Sequence, residues 1–132
     1  MIANPYQQYQ EANLETASQG KLLLMLYDGA IRFLMQSSVA LEQQRWQDAH
    51  NLNLRAQDII TELLVSLDLS VGEIANNLYR LYEYMNWRLV QANIKREPAG
   101  IREVIGHLRE LREAWAEAVK TTAGQQFGAG AA

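Results

Sequence analysis

Residues 22–34 read LLLMLYDGAIRFL, and ten of these thirteen side chains are apolar or aromatic. This is more than a helix needs to bury one stripe of about three or four residues in two turns. Successive side chains of an α-helix are rotated by about 100°, and at that rotation the apolar positions form two arcs. The first arc is a wide core stripe made of Leu23, Leu26, Tyr27, Ala30, Phe33, Leu34 and Leu41.

The second arc lies on the other side of the same helix. It contains Leu24, Met25, Ile31, Met35 and Val39, and it is interrupted by Asp28 and Arg32. Soluble monomers seldom leave such a stripe bare, so we expect something besides the protein's own core to cover it. Asp28 and Arg32 are four residues apart and are predicted to form a solvated ion pair.

Gly29 lies inside this helix, where glycine costs about 1 kcal/mol relative to alanine. Such a cost indicates a packing or functional reason. We expect a neighbouring helix or a bound peptide to approach the backbone at this position.

The composition limits the classes of protein that fit. With 132 residues and 48% apolar content, the chain is sufficient for one compact domain with a real core. It has no cysteine, which suits a reducing compartment and excludes disulfides. The longest apolar run, residues 22–27, is far too short for a membrane span, and the start resembles no signal peptide. The net charge of −3 does not indicate the basic surface that nucleic-acid binding requires. We therefore expect a cytoplasmic protein.

The chain is predicted to be all-α. Prolines occur only at positions 5 and 98, and helical periodicity fills most of the interval. Ser18 is the expected N-cap of the first helix, and Ser70 that of the third, with Glu73 as its capping-box partner. The predicted helices are residues 19–44, 47–68, 73–96 and 101–122, with Arg45 and Trp46 marking the turn into the second. Joined by short turns, they predict an antiparallel up-and-down bundle over residues 18–122, with an N-terminal cap segment over residues 1–17 and a disordered tail over residues 123–132.

The third helix repeats the anomaly of the first. Its core stripe is predicted to be Ile74, Leu78, Leu81, Tyr82, Met85 and Leu89, while Tyr79, Trp87, Val90 and Ile94 gather on the opposite side. The second and fourth helices show nothing comparable. Three interpretations of the outer apolar residues remain open. They form a client-binding surface, they form a homodimer interface, or they are scattered surface residues.

The segment ahead of the first helix contains Tyr6 and Tyr9 in PYQQYQ. Tyrosine combines a large apolar area with a hydroxyl group, which suits a contact that forms and dissolves. This segment is expected either to cover one of the outer stripes or to be a frayed terminus.

Catalysis and cofactors are not predicted. A carboxylate-bridged di-metal centre in a bundle needs two Glu-x-x-His pairs, but Gln47 precedes His50 and Val104 precedes His107 at that spacing. The chain has no phosphate loop, zinc spacing or nucleophile motif. We expect no metal site, no cofactor and no enzymatic activity.

Four segments together resemble the FliS family of flagellar secretion chaperones: MLYDGAIRFL (25–34), RAQDIITELLVSLD (55–68), GEIANNLYRLYEYM (72–85), and the RL and AN pairs within residues 88–93. The resemblance covers the chain to about residue 119. It implies a cytoplasmic export chaperone that binds the C-terminal segment of flagellin and prevents premature polymerisation, with no ATPase activity. It also implies contacts with the export gate protein and with the anti-sigma factor FlgM.

A flagellin terminus that is unfolded before assembly would present amphipathic segments to the outer stripes. The residues expected to contact it are Tyr6, Tyr9, Leu24, Tyr27, Ile31, Met35, Tyr79, Trp87, Val90 and Ile94. The alternative is a structural homodimeric module in which the same faces bury each other.

Overall fold

The computed structural model describes the backbone of residues 5–131 and the side chains of residues 19–121. Its four α-helices are α1 (Pro5–Glu42), α2 (Trp46–Val65), α3 (Glu73–Lys95) and α4 (Pro98–Ala131). A short 3₁₀ helix, Leu69–Val71, lies between α2 and α3. Tyr6 and Tyr9 fall outside the described side chains, so their predicted role stays a prediction, as does the division of the chain into cap segment, bundle and tail.

The helices form the predicted antiparallel four-helix bundle. Helix α1 packs against α2 and α4, and α3 packs against the same two helices, whereas within the described chain α1 and α3 do not lie side by side. The connecting turns are short, so consecutive helices run in opposite directions. Helices α1 and α3 therefore lie diagonally across the bundle, and the α2/α3 side of the bundle is opposite the α1/α4 side. None of the described helices is long and apolar enough to cross a bilayer.

The core combines the apolar stripes of all four helices, and the predicted stripes are largely confirmed. One assignment is wrong, because Ile74 is 77% exposed. It lies in the first turn of α3, where the next residue, Ala75, faces inward instead. The largest enclosed apolar side chains are Tyr27, Leu34, Ile60, Leu63, Tyr82, Met85, Leu89, Ile101, Val104 and Leu108.

Two polar side chains are fully buried and join neighbouring helices. Asn53 on α2 donates to the Leu89 carbonyl on α3 at 3.1 Å and accepts from Gln57 at 2.7 Å. Ser37 on α1 donates to the Ala49 carbonyl on α2 at 2.8 Å. Because buried polar groups are costly without partners, these bonds favour one register between the helices.

The diagonal helices meet through their tyrosines. The hydroxyl groups of Tyr27 on α1 and Tyr82 on α3 share a short hydrogen bond, and Trp115 on α4 donates its indole N–H to the Tyr27 oxygen at 3.1 Å. Burial raises the pKa of both tyrosines above the ordinary value. Both hydroxyls therefore stay protonated at neutral pH and act as hydrogen-bonding groups in the core.

Several predicted helix ends are wrong. Helix α1 begins at Pro5 instead of after Ser18; proline suits the first helical position because its missing N–H needs no partner there. Helix α2 ends at Val65, and Asp68 caps the 3₁₀ helix by accepting from the Ser70 amide at 3.1 Å.

The same aspartate explains why the predicted capping box is absent. The Ser70 hydroxyl donates to Asp68 at 2.5 Å, so it is not the N-cap of α3. The N-cap is Gly72, whose φ of 120° suits glycine and whose position makes no side-chain cap bond. At the other end, the helical backbone of α4 extends beyond the predicted end near residue 122, to Ala131.

Gly29 is buried, and the neighbour at this position is a helix of the same protein. A Cβ added to Gly29 would lie 3.4 Å from the Ile59 Cδ1 atom on α2. Of the two alternatives predicted for Gly29, the element that faces it is therefore α2 of the same protein, at an ordinary contact distance that does not by itself require glycine.

Candidate partner-binding surface

The predicted outer stripe of α3 is exposed. Trp87, Val90 and Ile94 are 56%, 39% and 72% exposed, and their spacing of three and four residues puts them on one face of the helix. Tyr79, about two turns toward the N-terminus from Trp87, is half-buried. The stripe Trp87–Val90–Ile94 is called the α3 stripe below.

A groove runs between α2 and α3 beside this stripe, and we call it the α2/α3 groove. Its middle part has a volume of about 220 Å³ and is lined by His50, Leu54, Gln57, Val90, Asn93 and Ile94. The His50 and Asn93 side chains are hydrogen-bonded at 2.8 Å. Apart from this polar pair and Gln57, the lining is apolar, as expected of a groove that receives the apolar face of a helix.

The same groove continues toward the α1–α2 turn. There the lining includes Leu41, Trp46 and Arg96 together with His50, Asn93 and Ile94. The Arg96 guanidinium lies 4.4 Å from the centre of the Trp46 ring, which is a cation–π contact. The two side chains form the wall of the groove at this end.

Sequence reasoning missed the contribution of α2. Helix α2 has no outer stripe comparable to that of α3, as predicted, but Trp46, Leu54 and Val65 are nevertheless 38%, 41% and 69% exposed. They are spread over about five turns of the helix and do not form a continuous stripe. Trp46 and Leu54 line the same groove as residues of the α3 stripe only because α2 packs beside α3.

The outer stripe of α1 is only partly exposed. Met25, Met35 and Val39 are 66%, 47% and 46% exposed, and Leu24 is half-buried. Met35 and Val39 separate two further grooves. One, toward α2, is lined also by Gln36, Arg45 and Leu52. The other, toward α4, is lined also by Ser38, Arg102, Ile105, Gly106 and Arg109.

Two predicted contact residues belong to the core instead. Tyr27 is fully buried, and Ile31 is only 9% exposed, so the expectation that Ile31 lies on an outward face is wrong. The helix is covered on more than one side by its two neighbours α2 and α4, which widens the buried face of α1 beyond a single stripe. Neither side chain offers a contact surface in this conformation.

The predicted ion pair between Asp28 and Arg32 is also wrong. Asp28 instead accepts two hydrogen bonds from Arg112 on α4, at 2.6 and 3.3 Å. An arginine that donates two hydrogen bonds to one carboxylate forms a stronger and more specific pair than a single flexible contact along one helix. The pair raises the pKa of Arg112 and joins α1 to α4.

A polar cluster borders the α3 stripe on the side of α4. Glu103 accepts from Tyr84 at 2.5 Å and from Arg88 at 3.1 Å, and it lies 3.3 Å from His107. Arg88 also donates to Glu97 at 2.6 Å. The Tyr84 hydrogen bond, followed by the contacts with Arg88 and His107, lowers the pKa of Glu103.

This cluster is a structural link between α3 and α4. The Tyr84 ring also lies 6.0 Å from the Trp87 ring, centre to centre. Within the described residues no group of three or more histidine, cysteine, aspartate or glutamate side chains could hold a metal ion. The cluster therefore holds α3 and α4 together next to Trp87, and it places ordered polar groups at the edge of the α3 stripe.

An antiparallel bundle with apolar grooves on opposite sides has the form of a helical protein that binds other polypeptides. Comparison with known proteins gives the family. The family model described as flagellar protein FliS matches residues 2–122. The chain therefore belongs to the FliS family, whose members are not enzymes.

Curated relatives support this membership along most of the chain. The flagellar secretion chaperone FliS of Bacillus subtilis is 36% identical over 98% of this chain and 96% of its own length. The FliS of Salmonella typhimurium is 39% identical over 80% of this chain and 79% of its own. A solved structure described as a flagellar chaperone from bacteria is similar in fold, with a TM-score of 0.76 at 20% identity over 88% of this chain and 95% of that one.

Proposed function

We propose that this protein is a cytoplasmic export chaperone that binds the C-terminal segment of flagellin and keeps it from polymerising before secretion. The family membership supports the class of function, since the curated relatives are flagellar secretion chaperones. The observation that carries the proposal is the α3 stripe beside the α2/α3 groove.

The chemistry of the groove suits an amphipathic segment. Each large apolar side chain that becomes buried contributes about 1.5–3 kcal/mol, and Trp87, Val90 and Ile94 supply three. Folding the flagellin segment on binding costs about 2–5 kcal/mol. The balance favours a complex that persists and yet dissociates without nucleotide hydrolysis.

Further contacts belong to the same proposal. Leu24 and Tyr79 would extend the contact area around the bundle, since both side chains are half-buried at the surface. Met35, which is 47% exposed, lies instead on the groove between α1 and α4, away from the α2/α3 groove. Tyr6 and Tyr9 would cover part of this surface in the free protein and leave it when flagellin binds. Contacts with the export gate protein and with the anti-sigma factor FlgM rest on the family resemblance alone.

The test uses Trp87→Asp, because Trp87 is central to the bundle side and more than half exposed. Loss of its buried contact is expected to cost about 2 kcal/mol or more, which is about a thirtyfold weaker affinity for a flagellin C-terminal peptide. Isothermal titration calorimetry measures this, and the wild-type complex should show a negative heat-capacity change. Ile31→Asp is unsuitable, because Ile31 is buried.

Asn77→Asp is the matched control, since Asn77 is exposed on α3 and undergoes the same change of charge outside the stripe. Circular dichroism should show both variants fully helical. Wild-type affinity in Trp87→Asp would contradict the proposal. A permanent dimer in sedimentation that does not bind the peptide would support the homodimeric module instead.

A further inference from the structure

The groove between α1 and α4 is on the side of the bundle opposite the α2/α3 groove. It has a volume of about 390 Å³ and is lined by Met35, Ser38, Val39, Arg102, Ile105, Gly106 and Arg109. We call it the arginine groove. Its lining contains two positive charges and no carboxylate, although the whole chain carries a net charge of −3.

The two arginines are seven residues apart on α4, so they lie on the same face and about 10.5 Å apart along the helix axis. Among the described residues Arg102 forms no ion pair, and the polar contact of Arg109 is to the Met35 sulfur at 3.5 Å. By contrast, Arg45, Arg88 and Arg112 each pair with a carboxylate. The groove therefore presents two guanidinium groups that are available to carboxylates from outside.

Gly106 lies between the two arginines and is exposed. A Cβ added there would meet no atom within 4 Å, so packing inside this part of the chain does not require glycine. Gly100 on the same helix differs, because an added Cβ would lie 2.9 Å from the Ala92 Cβ atom. Glycine is unfavourable inside a helix, but it allows another backbone to approach closely.

We propose that the arginine groove binds an amphipathic helix of a second protein. The apolar stripe of that helix would lie on Met35, Val39 and Ile105, its backbone would pass closest at Gly106, and carboxylates two turns apart would pair with Arg102 and Arg109. Charge complementarity selects the partner, since the α2/α3 groove has no such pair of unpaired cations. The two grooves face opposite ways, so both can be occupied at once, and the site does not depend on flagellin binding.

The probe is a fluorescent helical peptide with leucines along one face and glutamates seven residues apart beside it. A matched peptide carries lysines in place of the glutamates. In fluorescence anisotropy with the full chain, the glutamate peptide should bind at least about tenfold more tightly than the lysine peptide. The double variant Arg102→Glu/Arg109→Glu should reverse this preference.

Gly106→Leu tests the close approach. Leucine favours a helix more than glycine does and meets no neighbouring atom at its Cβ, so the fold is retained. Binding of the glutamate peptide should weaken at least about tenfold through steric exclusion, while Asn77→Leu, at an exposed position on α3, should bind normally.

Four results would overturn the inference. The first is equal affinity for the two peptides, and the second is unchanged binding to Gly106→Leu. The third is loss of binding in Trp87→Asp, or competition by the flagellin peptide, which would place the probe on the proposed flagellin surface. The fourth is a wild-type dimer in sedimentation that Gly106→Leu dissociates, which would make a second copy of this chain the occupant. Failure of Trp87→Asp to affect flagellin binding would bear only on the proposed function.

Discussion

At the scale of single residues, Glu103 shows how one carboxylate joins two helices. It accepts hydrogen bonds from Tyr84 and Arg88 on α3, and it contacts His107 one turn further along α4. All three contacts favour the ionised carboxylate and lower its pKa below the ordinary value of 4.5. A carboxylate with a lowered folded-state pKa stabilises the fold above its unfolded-state pKa and loses this contribution as the pH falls.

This predicts a pH-dependent stability that Glu103→Gln reduces. In wild type, the contribution of Glu103 is complete above about pH 5 and is lost as the pH falls through the lowered pKa. In urea unfolding between about pH 3 and 7, the free energy of unfolding of Glu103→Gln should therefore fall less steeply with decreasing pH than that of wild type. Glu110→Gln is the control, because Glu110 is exposed on the same helix and forms no ion pair within the described residues. Identical pH profiles for wild type and Glu103→Gln would contradict this role.

At the scale of helices, two glycines of α1 differ in how closely a neighbouring helix approaches them. A Cβ at Gly20 would lie 2.8 and 3.0 Å from the two methyl groups of Val119 on α4, whereas a Cβ at Gly29 would lie 3.4 Å from the end of the Ile59 side chain on α2. A β-branched valine has little rotamer freedom in a helix, while the terminal methyl of isoleucine can move slightly. Close packing therefore requires glycine at position 20 but not at position 29.

Alanine substitutions should separate the two cases. Gly29→Ala gains helix propensity without a clash and should raise the free energy of unfolding by about 0.5–1 kcal/mol. Gly20→Ala gains the same helix propensity, but the added methyl group forces α4 away. This substitution should lower the free energy of unfolding by about 1 kcal/mol or more. Chemical denaturation of the two variants beside wild type measures both. A loss of stability in Gly29→Ala would show that the α1–α2 approach is tighter than described.

At the scale of the whole molecule, the bundle separates stability from binding. The tyrosine pair, the buried asparagine and the apolar stripes hold the four helices together, while the α2/α3 groove and the arginine groove lie on opposite sides. Substitutions at the exposed groove residues should therefore change binding with little effect on folding, because the core contacts remain.

Flagellin binding should in turn stabilise the whole fold. A flagellin C-terminal peptide at a free concentration one hundred times its Kd should raise the free energy of unfolding by about 2.7 kcal/mol if it binds only the folded chain. Thermal or urea unfolding with and without the peptide measures the gain. At the same peptide concentration the gain should be much smaller for Trp87→Asp and unchanged for Asn77→Asp. An unfolding curve that the peptide leaves unaltered in wild type would contradict binding to the native bundle.

The helical class, the number of helices and most of the inward faces can be predicted from the amino-acid sequence alone. Periodicity alone places Leu34, Met85 and Leu89 in the core, because the 3.6-residue repeat is local and needs no knowledge of neighbours. It also identified the α3 stripe, where three apolar residues recur on a face away from the core. The family followed from several motifs in order along one chain.

The partner of each side chain depends on how the four helices pack together and does not follow from the sequence pattern. Asp28 pairs with Arg112 on another helix instead of Arg32 on its own, Ile31 is covered by neighbouring helices, and Leu54 joins a groove whose other wall is α3. Each of these outcomes depends on residues far apart in sequence that packing brings together. A helical repeat specifies the direction of a side chain around its own axis, but the element that lies in that direction is set by how the four helices are assembled.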